Sequence, residues 1–168
     1  MLGPIIPNLW FDTQAEEAAR FYVGLFDDSR IVSVVPYGPD APGPEGSTMV
    51  VEFDLMGQRY VGINGGPQFP FTEAVSLEVR CEDQPEIDRI WAALVEGGEP
   101  GPCGWLKDRY GLSWQVSSTD LETMLTDPDQ EKVNRVTQAF LKVDGEPFDI
   151  AALRAAFEGT AEPATAAR

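Results

Sequence analysis

Two periods alternate along the chain, one of two residues and one of about 3.6, and together they lay out its elements. Residues 5–11 alternate as a half-buried strand does, with Leu9 and Phe11 on one side and Ile6, Asn8 and Trp10 on the other. A helical stripe follows in Ala18, Phe21, Tyr22, Leu25 and Phe26, with Thr13 placed as its N-cap and Glu16 as the capping-box partner. Residues 29–37 contain IVSVV and predict a second strand. Residues 38–47 form a loop dense in Pro and Gly, and residues 48–55 and 58–64 predict a hairpin. The order is βαβββ.

GGPQFPFT at 65–72 is turn-forming punctuation, after which the pattern restarts. Residues 74–81 alternate again, with Val75, Leu77, Val79 and Cys81 opposite Ser76, Glu78 and Arg80. Asp83 and Glu86 form a second capping box, ahead of a stripe of Ile87, Ile90, Trp91, Leu94 and Val95 that Gly97 and Gly98 stop. Residues 100–102 leave room for a short strand only, and 104–117 predict a hairpin. DLMGQRY and DRYGLSW share one spacing: Asp54, Gly57 and Tyr60 recur as Asp108, Gly111 and Trp114, each Gly where the chain must reverse. Strand, capped helix and hairpin thus occur twice, which marks a duplicated unit.

Beyond Ser118 the pattern is helical. Residues 121–125 predict a short turn of helix. Asp127 and Pro128 start a longer one carrying Val133, Val136, Phe140 and Val143, and Asp149 opens a last one with Ile150, Leu153 and Phe157. These narrow stripes are expected to pack on the body or on a second subunit rather than as a bundle. The expected fold class is α+β, with βαβββ modules at 1–64 and 65–118, a helical extension at 119–158 and a disordered tail at 159–168.

Composition narrows the function classes. A chain of 168 residues with 43% hydrophobic content can bury a real core without staples. Its formal charge of −16 repels phosphate backbones and anionic membranes and favours a cationic ligand, so neither nucleic acid nor membrane is an expected partner. No apolar run approaches the roughly 20 residues that span a bilayer. Cys81 and Cys103 are too few for a disulfide framework and fit free thiols in a reducing cytoplasm. There is no histidine, which removes Ser-His-Asp and Cys-His chemistry and the commonest transition-metal ligand. The chain also lacks the Gly-rich turn of nucleotide and S-adenosylmethionine sites and a P-loop.

The paired modules resemble the vicinal oxygen chelate superfamily of glyoxalases, extradiol dioxygenases and bleomycin-resistance proteins. Three stretches, NLWFDTQAEEAARFY at 8–22, NGGPQFPFTEAVSLEV at 64–79 and PCGWLKDRYGLSWQV at 102–116, are similar to its PhnB-like branch, also described as 3-demethylubiquinone 3-methyltransferase domains. The resemblance implies an open trough in each module, helices on its outer side, and a homodimer. It also implies a divalent metal in superfamily enzymes, whose ligand positions fall near Asn8, Val61, Ser76 and Gln115. Val61 cannot coordinate, and neutral amide and hydroxyl oxygens are poor ligands for Zn, Ni or Fe. No metal or other cofactor is therefore expected. Glu52 and Glu78 are the nearest carboxylates; strand parity points Glu78 into the trough and does not place Glu52.

By alternation the trough is lined by Asn8, Trp10, Val61, Ile63, Ser76, Glu78, Arg80, Ser113 and Gln115. Trp10 offers a stacking surface, and Asn8, Arg80 and Gln115 can orient polar groups of a ligand. Glu78 with Arg80 forms either an ion pair or a weak candidate acid-base pair. Trp114 and Asp108 fit core and turn roles, while Trp105 is not placed. Two readings follow: a metal-free small-molecule binding protein, or a lyase, isomerase or oxygen-using enzyme with an atypical metal site.

Overall fold

The computed structural model describes residues 2–161, which divide into two compact units between Phe71 and Thr72. The first contains β1 (Asn8–Phe11), α1 (Ala15–Leu25), β2 (Arg30–Pro36), β3 (Thr48–Leu55) and β4 (Gln58–Asn64). Its sheet has the order β1-β4-β3-β2, with β1 parallel to β4 and the other pairs antiparallel. Ala15, Ala18, Ala19 and Tyr22 of α1 are buried, as are Val51, Phe53 and Leu55 of β3. Each large apolar side chain buried in this way contributes roughly 1.5–3 kcal/mol. Gly62 makes the close approach possible, because a Cβ there would lie 2.9 Å from Val51 Cγ1 and 3.2 Å from Ala15 Cβ.

The second unit repeats the topology with β5 (Ser76–Cys81), α2 (Gln84–Val95), β6 (Glu99–Pro100), β7 (Trp105–Lys107) and β8 (Ser113–Ser118), in the order β5-β8-β7-β6. The α+β class and the twice-used βαβββ order are therefore as the sequence implies. Cys81, Leu106, Trp114 and Val116 form the buried side of the sheet, and Ile87, Ile90, Trp91 and Leu94 the buried stripe of α2. Asp83 caps α2 by accepting from Glu86 N at 2.9 Å, and Glu86 Oε2 accepts from Glu82 N at 2.8 Å.

The first helix starts differently from expectation. Thr13 caps nothing; α1 begins after Gln14, and the N–H of Ala15 is taken by Asn64 Oδ1 at 2.8 Å from the end of β4. Glu16 turns instead to Arg20 and Thr48. The cap is supplied by a tertiary contact, which a local pattern cannot show.

After β8 come α3 (Thr119–Leu125), α4 (Gln130–Phe140) and α5 (Ile150–Glu158), capped by Ser118, Asp129 and Asp149. They pack largely on one another, against the expectation that they would not group. Leu121, Met124, Val136, Leu153 and Phe157 are buried among them, while Val143 lies beyond α4. Gln84 ties α2 to this layer, donating to Phe148 O and accepting from Ile150 N. The disordered tail expected at 159–168 falls outside the described residues from 162 on. Gly159 ends α5 in a left-handed conformation, φ +74°.

Candidate functional site

Each sheet has one side against its helix and one side free of it, and strand register sorts the polar residues of the free side into rows. In the first unit Asn8, Val61, Glu52 and Ser33 are successive partners across four strands. Glu52 therefore stands on this open face, which the sequence did not settle, and Arg59 Nη1 binds it at 3.0 Å. Arg59 also holds Asp54 at 2.5 Å, and that bond keeps the Asp54 carboxyl below its ordinary range. Asn8 is exposed and gives its Nδ2 to Ile6 O. The Trp10 indole donates to Gly66 O at 2.8 Å and meets the Phe69 ring edge-on, so the chain following β4 covers part of it.

In the second unit one row runs Glu78, Gln115, Trp105 and the next Ser76, Ser113, Lys107, Glu99. Gln115 Nε2 donates to Ser76 Oγ at 2.8 Å, along a diagonal between the rows. Register makes Glu78 the counterpart of Asn8, because both lie beside the terminal strand's Gln115 or Val61. Glu78 receives Arg80 at 3.1 and 3.2 Å, and Arg80 also reaches Glu122. The pair is thus a surface ion pair.

A cavity of about 510 Å³ opens on this face beside the second row. Pro102, Cys103, Trp105 and Lys107 are among the residues that line it. Ser113 lines it with 1% of its surface exposed, and its Oγ is buried with no hydrogen-bond partner among the described residues. Lys107 Nζ is held by Glu73 at 2.6 Å. The ammonium keeps the Glu73 carboxyl below its ordinary value, and the carboxylate raises Lys107 in turn. Of this group, alternation along the sequence places only Ser113 in the trough. Trp105 and Lys107 flank the buried Leu106 at period two, a signal that a three-residue strand makes too short to read alone.

The four metal positions implied by the resemblance do not fit a divalent ion. Val61 has no donor, Ser76 Oγ accepts from the Gln115 amide, and the neighbouring Glu52 and Glu78 are engaged by arginines. Among the described residues no three Cys, Asp or Glu side chains form a group that could hold a metal ion. No described helix is long and apolar enough to cross a membrane. Neither sheet is the doubly wound type on which S-adenosylmethionine sites are commonly built, and both strand-to-helix turns are acidic rather than Gly-rich.

Comparison with known proteins bears on this geometry. The family described as 3-demethylubiquinone-9 3-methyltransferase matches residues 4–117. A solved PhnB protein from Bacillus cereus, described as a putative member of that family, is 39% identical over 70% of this chain and all of its own, with a TM-score of 0.64. A protein from Pseudomonas aeruginosa is 23% identical over 70% of this chain and 98% of its own, TM-score 0.56. The fosfomycin resistance protein FosX from Listeria monocytogenes, crystallised as a variant with Mn(II), is 12% identical over 75% of this chain and 100% of its own, TM-score 0.54. None of the curated proteins matches. The match over residues 4–117 and the likeness to the B. cereus protein place the chain in the PhnB-like, 3-demethylubiquinone-9 3-methyltransferase family of the vicinal oxygen chelate superfamily.

Proposed function

We propose that this PhnB-like protein binds a small molecule without a metal, in the cavity on the open face of the second module. The observation that carries the reading is Ser113 Oγ, a buried hydroxyl without a partner among the described residues, at the wall of a 510 Å³ space. Leaving such a group unsatisfied costs roughly 1–3 kcal/mol, and a ligand or a bound water removes that cost. Trp105 adds a flat apolar wall, and Gln115 and Ser76 supply a polar pair one row away.

The test is a fragment titration followed by amide and indole NMR, using anionic, neutral and cationic compounds in equal number. Saturable shifts at Ser113, Trp105 and Lys107 are expected with at least one class. Shifts confined to other surfaces would end the reading. The open faces also suit a homodimer, and the unbridged Cys81 and Cys103 suit the cytoplasm; both belong to the proposal.

A further inference from the structure

The residues around Ser113 restrict what the cavity can take. Lys107 is its direct cross-strand partner, so the two side chains leave the sheet on one face as near neighbours. A hydroxyl and an ammonium from cross-strand partners are both donors that one planar anion can accept from. Trp105 stands one step further along the same face of β7. The Lys107 side chain is 33% exposed and that of Glu73 63% exposed, so the cation is the more enclosed member of their pair.

Resting on the binding reading above, we infer that the cavity takes a carboxylate carried on a planar ring, with Lys107 Nζ and Ser113 Oγ as its donors and Trp105 against the ring. Glu73 stands in for that carboxylate in the free protein. Its Oε1 already occupies a Lys107 donor at 2.6 Å, as a ligand oxygen does in the complex. Because Glu73 is mostly in water, it can leave the pocket at little cost. The overall charge of −16 favours cations at long range. Salt screens that field within about 8 Å at physiological strength, so contact donors decide selectivity inside the cavity.

The experiment compares three compounds of one shape and different charge: phenylacetate, phenylacetamide and phenethylamine, titrated against the full chain with the Trp105 indole resonance as readout. Phenylacetate is expected to bind most tightly. Glu73→Gln removes the internal competitor and is expected to tighten phenylacetate about two- to fivefold, the range for an exposed ion pair. Lys107→Met is expected to weaken it about tenfold or more, and Lys107→Arg to restore most of the loss. Thermal unfolding of each variant separates lost binding from lost structure. Phenethylamine binding as tightly as phenylacetate, or a Glu73→Gln affinity no tighter than that of the unaltered chain, overturns the carboxylate assignment and leaves the binding reading intact. Failure of all three compounds to move Trp105 overturns it as well, and the broader fragment set then decides the binding reading.

Discussion

The indole Nε1 of Trp114 donates to Asp108 Oδ2 at 2.8 Å, with both residues buried, while Asp108 Oδ1 accepts from the backbone of Tyr110 at 2.9 Å and Leu112 at 3.1 Å. One carboxylate thereby closes the second hairpin and fixes one of the two buried indoles of its core. The matching Asp54 does neither; it lies on the open face between Arg30 and Arg59. The hairpins differ accordingly. Leu55 pairs with Gln58 across a two-residue turn at Met56 and Gly57, both with positive φ, whereas Lys107 pairs with Ser113 across a longer loop.

Replacing Asp108 by Ala removes the acceptor of three hydrogen bonds, two of them buried, and is expected to cost about 3 kcal/mol. Asp54→Ala breaks ion pairs open to water and is expected to cost much less. Urea unfolding of the two variants measures the difference, and equal losses would mean the two aspartates share a role.

Asn64 Oδ1 accepts from Ala15 N and its Nδ2 donates to Thr48 O, joining the first turn of α1 to β3 from the end of β4. Asn64→Ala is expected to cost about 2 kcal/mol, from a lost cap and an orphaned carbonyl. Thr13→Ala is expected to change stability by less than about 0.5 kcal/mol, because its hydroxyl caps nothing. Thermal unfolding of both variants checks this ranking.

These contrasts show where the sequence is informative. Long amphipathic stripes and a repeated strand-helix-hairpin order make the two modules readable, because burial of one face imposes a period on many residues at once. The Asn64 cap acts across 49 positions and leaves no local trace. The placement of Glu52 opposite Val61 depends on register, and Lys107 belongs to a strand of three residues. The cavity beside Ser113 is therefore set by the alignment of β6, β7 and β8, which no single stretch of sequence carries.

Burial pushes the Cys81 thiol up to about 11, with Glu86 adding to the shift, while Cys103 is partly exposed and lines the cavity. A thiol reagent at pH 8 is expected to modify Cys103 in the folded protein and Cys81 only after unfolding. The sign for stability follows from the raised value. The neutral thiol is the form the fold prefers, so its contribution is complete below the unfolded thiol pKa of about 8.5 and declines as pH rises from there toward 11. Cys81→Ala should flatten the alkaline fall in the melting temperature, and an unchanged alkaline profile would contradict the assignment.

Arg59 and Arg80 each neutralise a carboxylate on an open face, Glu52 in the first unit and Glu78 in the second. A divalent ion at either place has to displace an arginine from its partner and accept neutral oxygens for the rest of its shell, a weak arrangement for Mn, Fe, Ni or Zn. Protein purified without added metal is therefore expected to contain well below one equivalent of any of these by elemental analysis, and EDTA is expected to leave its melting temperature unchanged. The double variant Arg59→Ala, Arg80→Ala frees both carboxylates and is expected to bind Mn(II) more tightly than the unaltered chain. A stoichiometric ion in the unaltered protein, lost to chelator together with stability, would show that the open faces hold a metal and that the arginines yield to it.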